Sequence, residues 1–232
     1  MQVIRNITDG LVHLFYPRLC EGCSKSLLSA EEVLCLSCSL QLPLTAYHDT
    51  DNNETALRFA GRVPFQHATS LAYFTTDGLL QHVLHGLKYK NKKEIGVYLG
   101  KLFANELLHT GWAKNIDAII PVPLHAKKQA LRGYNQSTLI AEGLHQVLHI
   151  PVLSHVLIRS RHTETQTNKT REERVNNMQQ AFVVASGKEI ENKNVLLIDD
   201  VLTTGATLEA CAIALQAVPG IKLSIATIGI AV

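Results

Sequence analysis

From Ala68 to the C-terminus, short apolar runs alternate with stretches whose apolar positions recur every three or four residues. The runs predict strands at 68–74, 117–122, 151–158, 181–184, 195–198 and 222–230. The three-to-four spacing predicts helices at 79–88, 95–108, 137–148 and 207–217. Strands alternating with helices imply a mainly parallel sheet with helices on both faces, an α/β architecture. Before this body, Ile4, Ile7, Leu11 and Leu14 fall at helical spacing, with Val3, Val12 and Phe15 beside them. They predict a short amphipathic helix packed on the body. Asp9 and His13 interrupt that segment, so a secretory signal is not expected. No apolar run approaches the roughly 18 residues of a spanning helix, and a cytoplasmic protein without membrane insertion is the expectation.

Two polar stretches stand apart. Residues 46–66 lack periodicity and read as a linker or long loop. Residues 159–180 are almost wholly polar and too long for a plain connection in a compact domain. The reading therefore divides the chain into a module at 1–45, a linker at 46–66 and a main domain at 67–232. A length of 232 residues, 46% hydrophobic and 18% charged, fits one main domain with an appendage. A net charge of +2 gives no global pull toward nucleic acid or membrane. The eleven histidines are scattered and read as surface or half-buried residues.

Four of the five cysteines form two close pairs, Cys20/Cys23 and Cys35/Cys38. In a reducing cytoplasm this spacing argues for metal, and four thiolates in two such pairs are the signature of structural Zn2+. The eleven residues between the pairs are fewer than the usual 15–20 or so, so a small knuckle is expected. Four sulfurs leave no open position for catalysis. Cys211, on a predicted helix, reads as core packing.

The sharpest chemistry lies at Val195-Leu-Leu-Ile-Asp199-Asp200-Val-Leu-Thr203-Thr204-Gly205-Ala206-Thr207. A buried strand delivers two adjacent carboxylates, whose side chains must point to opposite faces. Threonine hydroxyls, a glycine free to take positive φ, and unpaired N–H groups at a helix start then make an anion cradle. A ligand with a diol at one end and a phosphate at the other matches this order, and Mg2+ suits the carboxylates. Phosphoribosyl pyrophosphate is such a ligand. The competing readings are a ligand-free strand ending at a helix cap, and nucleotide hydrolysis. The latter needs a Gly-x4-Gly-Lys-Ser/Thr loop, which is absent.

These residues resemble the type I phosphoribosyltransferase signature. The resemblance spans roughly residue 117 to the C-terminus and implies that Asp199 and Asp200 bind ribose hydroxyls. It also implies that Thr203, Thr204, Gly205, Ala206 and Thr207 bind the 5′-phosphate. Family members acting on 6-oxopurines carry an acid at the position of Thr203, which disfavours that substrate class. In the family, the loop after the first core strand holds pyrophosphate, often through backbone in an unusual peptide geometry. Here that loop is Pro123-Leu124-His125, followed by Lys127, Lys128 and Arg132. The alternative is a solvated basic loop before a helix capped at Asn135 or Ser137. The stretch 159–180 reads as a lid, with Arg161 and Arg174 its preferred contacts, or as a surface loop with solvated charges.

The whole layout is similar to the ComF, or GntX-like, family. The residues that carry the likeness are the cysteine pairs, Leu87-Lys88-Tyr89, Pro121-Val-Pro-Leu-His125 and Arg132-Gly-Tyr-Asn-Gln-Ser137. Arg159…Gln166…Arg174…Asn177 and Ile198-Asp-Asp-Val-x-Thr-Thr-Gly-Ala-Thr207 complete the set. The resemblance implies a phosphoribosyltransferase fold associated with natural competence and incoming single-stranded DNA, with no settled acceptor or activity. Lys88 and Tyr89 could reach the ligand, or Tyr89 could simply pack a helix end. Two functions follow: a phosphoribosyltransferase using phosphoribosyl pyrophosphate with Mg2+, or a non-catalytic sensor or single-stranded DNA-handling module. Glutamine amidophosphoribosyl transfer is not expected, since it needs an N-terminal cysteine nucleophile and the first cysteine is Cys20.

Overall fold

The computed structural model describes residues 17–160 and 181–232. The expected N-terminal amphipathic helix, and residues 161–180 of the lid stretch with Arg161 and Arg174, lie outside the described residues. Helix α1 (Leu36–Leu40) and helix α2 (Glu54–Phe59) precede strand β1 (Ala68–Phe74). Helices α3 (Leu79–Tyr89) and α4 (Glu94–Leu108) lead to β2 (Ala118–Pro121). Then follow α5 (Ala126–Arg132), α6 (Gln136–Leu148) and strands β3 (Leu157–Arg159) and β4 (Phe182–Val184). Strand β5 (Asn194–Leu202), helix α7 (Ala206–Gln216) and β6 (Lys222–Ala231) complete the chain.

The main sheet has the order β1-β6-β5-β2 and is parallel throughout. Its strands are apolar on both faces because helices cover both. On one face Leu84, Leu87, Leu99, Phe103, Ile140 and Leu144 of α3, α4 and α6 pack against Leu196 and Ile198. On the other, Phe59 of α2 and Leu208, Cys211 and Leu215 of α7 meet Val195 and Leu197. Cys211 is fully buried, in agreement with a packing role, and burial pushes its thiol well above the usual value.

Helices α4 and α6 cross through glycine. A Cβ on Gly100 would lie 2.2 Å from the carbonyl oxygen of Ile140, and one on Gly143 would lie 2.2 Å from that of Val97. No side chain fits that contact.

Both edges of the sheet are covered by single bridges. Leu44 pairs antiparallel with Ala72 of β1, with Thr45 N donating to Leu71 O at 3.0 Å and Tyr73 N to Pro43 O at 2.8 Å. At the other edge Val152 pairs with Ile119 of β2. The strand expected at 151–158 is thus reduced to this bridge and to β3, which turns away to pair antiparallel with β4.

Two expectations change. The stretch 46–66 is not featureless. It contains a short 3-10 turn at Tyr47–Asp49 and helix α2, capped by the Asn53 side chain, which accepts from Ala56 N at 3.0 Å. Phe59 anchors it in the core at 0% exposure. The basic segment after His125 is helical as α5, with Asn135 then capping α6.

Candidate functional site

Strand β5 outlasts its neighbour. The β2 register ends at Pro121 opposite Ile198, while β5 continues beside β6 to Leu202 opposite Ile230. Val122 N still donates to Ile198 O at 2.9 Å before β2 leaves, and a crevice opens where Asp199 and Asp200 emerge. The carboxyl ends of parallel strands are where α/β sheets hold ligands.

The acids take different partners, as the pleat requires. Ser137 Oγ donates to Asp199 Oδ1 at 2.8 Å from the start of α6, and Asp200 N donates to the same oxygen at 2.9 Å. Lys88 Nζ at the end of α3 pairs with Asp200 Oδ2 at 2.8 Å. Burial, reinforced by the charge of Asp200, raises Asp199 to about 7 against the opposing pull of Ser137, the Asp200 N–H and Lys88. Asp200 is therefore engaged by an internal cation, and Lys88 reaches an acid of the site.

Beyond β5 the chain makes the expected turn. Gly205 has φ 80°, caps α7 and offers no side chain to its first N–H groups. Ala206 N donates to Thr204 Oγ1 at 3.4 Å. Thr203, Thr204 and Thr207 are exposed while Gly205 is buried. Asp199 and residues 201–208 line a recess of about 50 Å³. That exceeds the ~30 Å³ share of one water and suits a single oxyanion resting on a helix N-terminus.

The other predicted residues divide. Pro123 and Leu124 line a cavity of about 500 Å³ with Tyr134, Asn135, Glu142 and Arg159. His125 is occupied locally, its Nδ1 accepting from Lys127 N at 3.2 Å. Arg132 donates to Gln136 Oε1 at 2.8 Å and lies 5.4 Å over the ring of Tyr89, which is 67% exposed. All peptide bonds among the described residues are trans, those of Pro123–His125 included. Sequence reasoning missed Ser137 as the partner of Asp199, since its only visible signal was a helix start. Arg159, named in the sequence as part of the polar stretch and of the family pattern, lies over Phe182 at 5.2 Å, and its buried Nε has no hydrogen-bond partner among the described residues.

The cysteines come together as their spacing implied. The Sγ atoms of Cys20, Cys23, Cys35 and Cys38 lie within 4.8 Å of one another. A tetrahedral ion with bonds of about 2.3 Å sets its sulfurs ~3.8 Å apart, and Cys23 and Cys35 are 3.7 Å apart. Cys20 Sγ accepts from Gly22 N at 3.3 Å and Cys35 N at 3.2 Å. Burial opposes ionisation of Cys20, but N–H groups of Cys35, Cys23 and Gly22 outweigh it and lower its thiol to about 6. Four sulfurs at these separations could hold one metal ion. The cluster docks on the body through Ser39 Oγ and Tyr98 OH at 3.0 Å, and through a Glu21–Lys92 ion pair.

The chain is 32% identical over 203 residues to competence protein F of Haemophilus influenzae, covering 86% of this chain and 84% of that one. It belongs to the ComF family. A phosphoribosyl transferase domain model matches residues 135–230, from the cap of α6 through the acids and turn into β6. The DNA utilization protein YhgH of Escherichia coli K12 is 29% identical over 198 residues, covering 82% of this chain and 80% of its own. Competence protein ComFC of Bacillus subtilis is 30% identical over 139 residues, covering 60% and 54%. This ComF chain thus joins a phosphoribosyltransferase domain to a four-cysteine cluster. Among the described residues, no helix is long and apolar enough to cross a membrane.

Proposed function

We propose that this ComF protein binds phosphoribosyl pyrophosphate with Mg2+ and transfers the phosphoribosyl group to an acceptor. The supporting observation is the run from Asp199 and Asp200, at the open end of β5, into the Gly205 turn and the start of α7. The carboxylates hold the ribose hydroxyls, and the turn holds the 5′-phosphate. The donors suit magnesium, which takes one or two carboxylates and completes its shell with water and phosphate oxygens. The ammonium of Lys88 against Asp200 is the chain's own example of a cation held there. Magnesium, when bound, would neutralise phosphate oxygens.

During transfer the bond from the anomeric carbon to pyrophosphate breaks as one to the acceptor forms. The protein's part is to hold the two in line and to stabilise charge growing on the leaving group. Lys127, Lys128 and Arg132 on α5 supply positive charge beside the Pro123–Leu124 loop. The cavity lined by Leu124, Asn135, Glu142 and Arg159 is offered for the acceptor. For the cysteine cluster we propose zinc in a structural role.

Calorimetry tests the assignment. Asp199→Asn combined with Asp200→Asn should weaken binding of phosphoribosyl pyrophosphate with magnesium at least ~100-fold, since several charge-assisted bonds are lost at once. Unchanged affinity would remove it.

A second reading, single-stranded DNA handling in competence with or without turnover, draws on what the relatives' names say of them. It predicts single-stranded DNA affinity that falls steeply with salt, because phosphate contacts release counterions. Affinity indifferent to salt would exclude it.

A further inference from the structure

Two arginines in the stretch 46–66 hold the backbone of the phosphate turn from outside. Arg58 Nη1 donates to the carbonyl of Thr203 at 2.9 Å and its Nη2 to that of Ala231 at 3.1 Å, tying the turn to the end of β6. Four residues on, in the turn after α2, Arg62 Nη1 donates to the carbonyl of Thr204 at 3.2 Å and to that of Arg58 at 3.0 Å. Arg62 Nη2 also pairs with Glu209 in the first turn of α7. Between them Phe59 packs beneath the turn, its Cε1 3.3 Å from where a Cβ on Gly205 would sit.

Peptide geometry gives these bonds a consequence. In a planar trans peptide the carbonyl and the next N–H point in opposite directions. Guanidinium groups holding the Thr203 and Thr204 carbonyls outward therefore turn the N–H groups of Thr204 and Gly205 the other way, away from the clamp. The charges add to the effect. Glu209 balances Arg62, but no carboxylate lies within 4.0 Å of Arg58 among the described residues, so its charge raises the potential behind the turn.

We propose that Arg58 and Arg62 are positioning residues for the 5′-phosphate, making α2 and the residues after it a working part of the anion site. They act through the Thr203 and Thr204 peptides and do not touch the ligand. The proposal rests on the reading of that turn as the 5′-phosphate site.

The test compares three probes by calorimetry on the full chain: phosphoribosyl pyrophosphate with magnesium, ribose 5-phosphate, and inorganic pyrophosphate with magnesium. Arg58→Ala should weaken the first two by the same factor, about tenfold, and leave pyrophosphate unchanged, because the clamp bears only on the 5′-phosphate. Arg58→Lys, which keeps the charge and one of the two bonds, should recover part of the loss. Arg62→Ala should follow the same pattern more weakly, since Glu209 already offsets its charge. A residue that served folding alone would lower the melting temperature and leave all three affinities of the folded protein intact, which overturns the proposal. So does an equal loss for pyrophosphate. If Arg58→Ala binds normally while the Asp199/Asp200 double variant does not, the clamp fails and the site reading stands. If the unaltered protein binds neither ribose 5-phosphate nor phosphoribosyl pyrophosphate, both fail.

Discussion

Asp199 is the residue on which charge and hydrogen bonding conflict most. Its proton is held to about 7, first by burial and then by the charge of Asp200, whereas a free aspartate titrates near ~3.9. Below that lower value the group is protonated in both folded and unfolded chains and stability is unaffected. Between there and about 7 the unfolded chain has lost a proton that the folded chain keeps, so stability falls as pH rises through the window. Above it the penalty is constant. Asp199→Asn removes the penalty and can still accept from Ser137. Its melting temperature should match the parent's near pH 4 and exceed it by several degrees near pH 8; equal values at both would show the aspartate is not strained. Lys88→Met removes a cation that lowers Asp199, so the upper edge of the window should rise while its lower edge, set by the unfolded chain, stays in place. The acids themselves were legible as an apolar run broken by two charges. Their pairing was not: Lys88 was marked as able to reach the ligand and Ser137 as a helix cap, but both are distant in sequence and nothing local assigns either to an acid.

At the scale of elements, most strand and helix ends fell where periodicity put them, since each carries a full apolar face. Helix α2 escaped because it is short and sits among charged and amide residues. Its signals are faint: Asn53 as a cap, then Ala56 and Phe59 at helical spacing. The expected strand at 151–158 failed for another reason. Apolar residues announce a strand but not its neighbour, and here the second half pairs with β4 instead of the main sheet. Two elements yield a direct test. The α4–α6 contact admits no Cβ, and the atoms met at Gly100 and Gly143 are backbone, which cannot step aside as a flexible side chain would. Gly100→Ala and Gly143→Ala should each cost about 1–3 kcal/mol or more in denaturant unfolding. A change below half of that would mean the helices slide apart freely.

Across the whole molecule, the cysteine cluster and the main domain are tied together. Ser39 and Glu21 contact α4 and the segment leading to it, and the chain leaving the cluster runs through Pro43–Thr45 along β1. Metal binding that orders such a cluster is itself folding free energy. Treatment with a strong chelator, or Cys38→Ser, should abolish the zinc content measured by atomic absorption and raise hydrogen exchange in residues 17–45 and at β1. Exchange confined to the cluster would show that the two parts fold independently. The cysteine spacing was fully legible, but its coupling to the sheet was not, because the bridge at Leu44 is a single apolar residue with no pattern around it.

That bridge carries one more consequence. Leu44 and Thr45 lie along an outer strand whose remaining backbone groups would otherwise invite a foreign strand to pair with them. Stripping the ion from four sulfurs some distance away would loosen this cover and bare a sticky rim. Zinc starvation would then show first as clumping of an otherwise folded protein, well before the crevice at Asp199 and Asp200 is disturbed.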